Sequence, residues 1–348
     1  MKAPSNIIVR MPNWLGDLVM ATPVLADLRS MWPSARITAM CQSNVAALLK
    51  FDPNINEVFS YKRPSGWISH QQHWNIIDDL RKGEYDLGLL LTNSFSSAWW
   101  FWRGHVKNRI GFAGNIRNFM LNQAVPFPAN IDVQHQVTTY KELLVPLGKA
   151  ISTTQPRLYI AEEEKTAAAA LLARHGANVG KHVIVGINPG AAFGTAKCWL
   201  PERFREVTQH LLKNPLVYVV YFGDPAGAPL VHEICKDLPE RVINLAGKTS
   251  LRELLALIQS CSILLTNDSG PMHIASALNV PLLALFGSTS DVRTGPYGSH
   301  SKVIHKHVEC SPCMKRVCPI DFRCMKRIEV EEVYRELQEM LENKDTHS

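Results

Sequence analysis

The sequence predicts an α/β protein made of two doubly wound parallel sheets, and three observations lead there. Short apolar or β-branched runs alternate with helix-length stretches. The alternation lapses into a polar stretch near residue 150 and then restarts. A chain of 348 residues exceeds one ordinary core and fits two domains of about 150 residues each.

In the first half the strands are NIIVR, RITAMC, INEVFSY, DLGLLL and RIGF. Strands apolar along their whole length are those covered by helices on both faces, as in parallel sheets. DLVMATPVLADLRSMW has helical spacing and lies between the first two, and a helical candidate at about 135–147 completes a domain expected to span residues 1–155. GKAISTTQPRLYIAEEE, with Pro156 and no clear period, reads as a linker. An alanine-rich helix over 162–175 opens a second domain, 156–328. Its strands are HVIVGINPG, LVYVVYFG, RVINLAG, SILLTND and VPLLALFG. EVEEVYRELQEMLENK, within 329–348, is an amphipathic terminal helix, and no fixed-period repeat runs through the chain.

Composition narrows the class. Hydrophobic residues at 46% and charged residues at 20% exclude extensive disorder. The N-terminal apolar run is cut by Arg10, too short for a signal-peptide core, so a cytoplasmic protein is expected. No window reaches the roughly 18 apolar residues of a spanning helix, so any membrane contact is peripheral. A net charge of +6 favours anionic partners: phosphosugars, anionic lipid or nucleic acid. The excess is local, with Arg103, Lys107, Arg109 and Arg117 around WWFWR at 99–103, and Lys62 with Arg63. The tryptophans read either as a buried helix face or as a surface set against lipid headgroups.

Ligands of doubly wound sheets bind beyond the carboxyl ends of the strands, and three such turns carry chemistry. In RMPNWLGDLVMATPVL, Gly16 permits a tight path and Asp17 falls in the first helical turn, where the helix dipole favours a carboxylate. Asp17 is then either a capping group or a general base. Around INPGAAFGTAKCWLPERF, glycines at 186, just before it, and at 190 and 194 within it precede Lys197, and backbone amides with a mobile cation suit a phosphate. The alternative is a surface lysine on a flexible loop. In ILLTNDSGPMHIASAL, Asn267, Asp268, Ser269 and Gly270 lead into a helix with Pro271 in its first turn, leaving amides that favour an anion. Asp268 would repel that anion, so it either caps the helix or bonds sugar hydroxyls. His273 is either one more donor or a satisfied core histidine.

Other chemistries lack their signatures. No GxGxxG follows either first strand, against a dinucleotide-dependent dehydrogenase. LAGKT at 245–249 has Val242 where a P-loop needs glycine, and neither HExxH nor GxSxG occurs.

In order along the chain, PNWLGDLVMATPVL, NPGAAFGTAKCW, YFGD, NLAGKTSL and NDSGPMHIASALNVPLLALFG resemble the glycosyltransferase family that contains the lipopolysaccharide heptosyltransferases. PNWLGD, NSF at 93–95, RIGF and GAAFGTAKCW are closest to the branch that adds the second heptose. The resemblance implies a GT-B fold, two Rossmann-like domains facing across a cleft, the first binding a Kdo-lipid A type acceptor and the second ADP-heptose. It implies inversion at the anomeric carbon with no catalytic metal, no required cofactor and no nucleic-acid partner, at the inner face of the cytoplasmic membrane. By the same match Asp17 is the base and Lys197 the phosphate ligand. Gly190, Asp268, Ser269, Gly270 and His273 line the donor turn, with Thr249 near adenine and Asp224 near ribose. Asn13, Gly16, Lys62, Arg63, Arg109 and Arg117 are candidates for the acceptor. The alternatives are a related transferase for another nucleotide sugar and a non-catalytic two-lobed sugar-binding protein.

ECSPCMKRVCPIDFRCMKRI places Cys310, Cys313, Cys318 and Cys324 within fifteen residues. In a reducing compartment such thiols suggest a metal, and the C-x2-C half suits zinc. The x4 and x5 spacings are equally compatible with iron–sulfur ligation, and free or redox-labile thiols are the other reading. Catalysis is not expected to depend on them.

Overall fold

The structure, a computed structural model, describes residues 3–66 and 68–345. The last three residues of the expected terminal segment, 346–348, lie outside the described residues. The chain forms two compact units, Met1–Tyr159 and Ile160–Ser348.

The first unit contains β1 (Asn6–Arg10), α1 (Leu15–Met31), β2 (Arg36–Gln42), β3 (Glu57–Tyr61), α2 (Ser69–Lys82), β4 (Leu87–Leu90), α3 (Phe95–Arg103), β5 (Asn108–Phe112), β6 (Gln123–Val125) and α4 (Gln136–Glu142). The second contains α5 (Glu162–Arg174), β7 (Val183–Asn188), α6 (Pro201–Leu211), β8 (Val217–Tyr221), α7 (Ala228–Cys235), β9 (Val242–Asn244), α8 (Leu251–Gln259) and β10 (Ile263–Asn267). It continues with α9 (Gly270–Ala277), β11 (Leu282–Phe286), α10 (Asp291–Thr294), β12 (Ser301–His305), α11 (Arg323–Lys326) and α12 (Val330–Asp345).

Each unit holds one parallel six-stranded sheet, ordered β3-β2-β1-β4-β5-β6 in the first and β12-β11-β10-β7-β8-β9 in the second. Counted from its own first strand, each sheet has the order 3-2-1-4-5-6. The direction in which strands are added therefore reverses between β1 and β4, and again between β7 and β10. Crevices at the carboxyl ends of those strand pairs are where such sheets bind ligands. The central strands are wholly buried, Ile7, Ile8 and Val9 in β1 and Ile263, Leu264 and Leu265 in β10, as their unbroken apolar runs require. The expected strand set lacked β6, only three residues long, and β12, whose Lys302 and Val303 face solvent.

Local chemistry keeps α1 continuous through Pro23. A proline there leaves the carbonyl of Val19 without its helical donor, and the hydroxyl of Thr22 supplies one at 2.8 Å. The same hydroxyl accepts from the amide of Arg157 at 3.1 Å. Nearby, the buried Asp27 accepts from Ser152 at 2.6 Å and Thr154 at 2.8 Å, and the buried Lys141 donates to both of their carbonyls. The polar stretch that reads as a linker is thus fastened to α1.

Helix α3 buries part of this aromatic stretch and exposes part of it. Trp100 and Phe101 are buried, whereas Trp102 is 42% exposed, its ring edge-on to Phe119 at 6.3 Å.

Candidate functional site

In the first unit, β1 delivers the chain to α1, with Trp14 as N-cap and Gly16 and Asp17 as its second and third residues. Gly16 therefore lies within the helix itself. The half-buried Asp17 accepts a hydrogen bond at 3.1 Å from the hydroxyl of Tyr140 on α4. Burial holds the Tyr140 phenol well above its usual pKa, and the neighbouring Asp17 carboxylate adds to this, so the phenol is a protonated donor at neutral pH. Neither the local pattern nor the spacing pointed to Tyr140. A donor to a carboxylate stabilises its charged form. Removing that donor in Tyr140→Phe is expected to move the acid limb of the kcat/KM profile to higher pH. A pH–rate profile of the variant beside wild type checks this, and an unmoved limb with lower activity would leave Tyr140 a packing role.

The acceptor candidates separate by exposure. Asn13 is exposed and its side-chain oxygen accepts from the buried Arg10 at 2.6 Å. Lys62 and Arg63 are exposed on the segment following β3. Arg117 is fully buried, donating to the carbonyls of Phe112 at 2.7 Å and Thr92 at 2.5 Å and to the side chain of Asn93 at 3.1 Å. Burial lowers its pKa to about 10. It braces the β4 and β5 loops from within instead of facing solvent. Arg109 is similarly occupied, its Nε donating to the carbonyl of Met120 at 2.6 Å. Beyond the loops that Arg117 braces lie Phe95, the first residue of α3, and Ile116, 46% and 85% exposed.

The second unit gathers its candidates around the β7–β10 reversal. Asn188, the last residue of β7, donates to the carbonyl of Gly190 at 3.0 Å and to the hydroxyl of Ser269 at 3.2 Å. Asn267, the last residue of β10, donates to the carbonyl of Pro189 at 2.6 Å and accepts from the amide of Trp199 at 3.0 Å. These two asparagines fix the loop 189–199 over the start of α9. A side chain built on Gly190 would meet only open space, so another molecule can approach the backbone there.

Lys197 is turned inward, its Nζ 2.5 Å from Asp268 Oδ2, with side chains only 13% and 4% exposed. Thr289 donates to the same carboxylate oxygen at 2.6 Å. Asp268 was expected as a helix cap or a sugar ligand; its contacts make it the carboxylate that holds Lys197. Such a pair balances two buried charges that would each be costly alone, and the ammonium keeps two further protons to donate. Ser269 is the N-cap of α9, with Gly270 and Pro271 opening the helix. His273 is buried in its first turns. Asp224, after β8, accepts from the amide of Gly227 at 2.7 Å. Thr249, after β9, immediately precedes the Ser250–Glu253 capping box of α8. Both lie at the carboxyl edge of the same sheet. Thr289 and Asn188 were missed, and Asn267 was named as part of its turn without a role; Asn188 sits in the INPG turn, where a strand-end amide was a usable signal.

The four clustered cysteines are free. Burial raises the pKa of the Cys324 thiol, and Cys310, Cys318 and Cys313 raise it further. Separately, Asp291, His305 and His307 have ligand atoms within 4.8 Å of one another. The His305 ring is already bonded to Asp291 through Nδ1 at 2.9 Å and to Ser311 through Nε2 at 2.7 Å. Among the described residues no helix is long and apolar enough to cross a membrane.

The profile of glycosyltransferase family 9 (heptosyltransferase) matches residues 73–322. Lipooligosaccharide heptosyltransferase 2 of Haemophilus influenzae is 29% identical over 307 residues, covering 86% of this chain and 88% of its own. Lipopolysaccharide heptosyltransferase 2 of Salmonella typhimurium is 29% identical over 310 residues, 86% and 87% of the two chains. The solved Escherichia coli ADP-heptose lps heptosyltransferase II superposes with a TM-score of 0.83 at 27% identity, over 98% of this chain and 99% of its own. A family 9 glycosyl transferase from Veillonella parvula shares the fold with a TM-score of 0.86 at 24% identity, over 97% of each chain.

Proposed function

Because this chain belongs to glycosyltransferase family 9, whose profile spans residues 73–322, we propose that it transfers heptose from ADP-heptose onto a heptosyl-Kdo-lipid A type acceptor of the lipopolysaccharide inner core. The observation that carries the reading is the buried Lys197–Asp268 pair beside the start of α9. A cation, open backbone at Gly190 and the positive end of a helix dipole together suit a diphosphate.

In the proposed displacement an acceptor hydroxyl forms a bond to the anomeric carbon as the bond to the diphosphate oxygen breaks, with inversion. Asp17 takes the hydroxyl proton, and ADP leaves with its charge met by Lys197 and the first amides of α9. Asp224 and Thr249 are assigned to the nucleoside, and Ser269, Gly270 and His273 to the diphosphate and sugar. The displacement consumes no cofactor. Asn13, Lys62 and Arg63 are assigned to the acceptor's anionic groups. Contact with the inner face of the cytoplasmic membrane would be peripheral, a reading supported by the exposed Trp14, Phe95 and Ile116.

The test is transfer to a heptosyl-Kdo2-lipid A acceptor with ADP-heptose, a UDP-sugar or a GDP-sugar supplied separately. Turnover with ADP-heptose at least about 100-fold above the others is expected, since hydrogen-bonded recognition discriminates strongly. Preference for another nucleotide would transfer the assignment to a related enzyme, and binding without turnover would leave a sugar-binding protein.

A further inference from the structure

Cys310, Cys313, Cys318 and Cys324 take no part in the transfer as drawn, yet their segment is tethered at both ends. Three contacts bring it to the loop after β11. The hydroxyl of Ser311 donates to the carbonyl of Gly287. The amide of Met314 donates to the carbonyl of Ser288 at 2.7 Å. The sulfur of Cys324 stands 3.1 Å from where a Cβ on Gly287 would be. Cys310, Cys313 and Cys324 therefore flank the same two residues, and Cys310 and Cys324 pack on one core.

The other tether is the loop that carries Lys197. The amide of Ala196 donates to the carbonyl of Arg316 at 3.0 Å. Gly194 allows that approach, because its Cβ would stand 2.3 Å from the same oxygen and its φ of +155° is one that other residues rarely adopt. The guanidinium of Arg316 lies 5.3 Å from the ring of Phe193, and Lys197 Nζ lies 4.9 Å from it.

We propose that Cys310, Cys313, Cys318 and Cys324 form a tetrathiolate site for a thiophilic divalent ion, zinc or ferrous iron, and that filling it fixes the Lys197 loop for donor binding. Each thiol loses its proton on binding, so one ion and four thiols give a dianionic centre and four released protons. The exposed Lys315, Arg316, Lys326 and Arg327, close in sequence to the cysteines, supply compensating charge. The thiols are gathered without being closed to bonding distance: among the described residues, the group with ligand atoms within 4.8 Å of one another is Asp291, His305 and His307. Binding therefore draws the segment inward, toward sulfurs that each lie about 2.3 Å from the ion, and the Arg316 carbonyl transmits that movement to Ala196 and Lys197. The second half of the proposal rests on the donor-site reading above; the first half does not.

The full chain, purified anaerobically without chelator, is expected to carry close to one zinc or iron per chain by elemental analysis. A thiol-blocking mercurial should release it, and cobalt(II) added to the stripped protein should give thiolate-to-cobalt charge-transfer absorption. Cys313→Ser and Cys318→Ser should each lose the ion. By calorimetry the stripped protein should bind ADP on the order of tenfold more weakly than the filled one and recover with zinc, since a misplaced loop costs at least that much. Wild-type protein without metal and without a cobalt spectrum would overturn the site, whatever the variants do. Equal ADP affinity in filled and stripped protein would overturn the clamp. Absence of ADP binding by the filled protein would instead overturn the donor-site reading.

Discussion

Asp17→Asn is expected to lower kcat for heptose transfer by about 10³-fold while leaving ADP affinity within about twofold of wild type. The amide keeps the volume and can still accept from Tyr140, so α1 and its packing on α4 should persist. What disappears is the only function an amide cannot perform, receiving a proton from the attacking hydroxyl. Single-turnover transfer measured beside calorimetric ADP binding separates the two. Near-normal transfer with intact binding would remove Asp17 from the chemistry and leave it as a residue that favours the start of α1. A parallel loss of both would indicate a folding defect instead.

Lys197→Ala is expected to reduce kcat by about 10²- to 10³-fold, the scale found when one preorganised donor to developing charge is removed. It should also weaken ADP binding, because the ammonium meets charge already present in the bound donor. The variant has a second consequence peculiar to this site. Asp268 is 4% exposed and its carboxylate meets Lys197 and the hydroxyl of Thr289, so deleting the lysine leaves a buried carboxylate short of countercharge and beside an incoming diphosphate. The double variant Lys197→Ala with Asp268→Asn should therefore recover part of the ADP affinity lost in the single variant, as coupled neighbours do in a double-mutant cycle. Independent, additive losses would mean that the pair does not act as a unit in donor binding.

The parts of the fold legible in the sequence are those where burial is symmetrical. SILLTND and VPLLALFG carry no polar face because helices cover both sides of their sheet, so an apolar run alone identified them. β12 escaped notice because half of it meets solvent, and β6 because three residues carry no period. The turns after β7 and β10 were legible for another reason: glycine and proline mark where the backbone must bend and where amides are left unpaired. Contacts made across long sequence separations left no such mark. Tyr140 reaches Asp17 from α4, and Thr289 reaches Asp268 from beyond β11, and nothing local distinguishes either from an ordinary packed residue. Arg117 shows the opposite error. Basic residues beside aromatics look alike in sequence whether they face an anion or, as here, are folded inward onto backbone carbonyls.

The shared 3-2-1-4-5-6 strand order, with all sheet pairing closed inside each unit, has an evolutionary reading. Neither half needs the other's strands to satisfy its backbone, so substitutions can accumulate in one without unravelling its companion. On the donor and acceptor assignment proposed above, nucleotide choice and glycolipid choice would be separable traits, and a chimera joined between Tyr159 and Ile160 would be the natural way to reassort them.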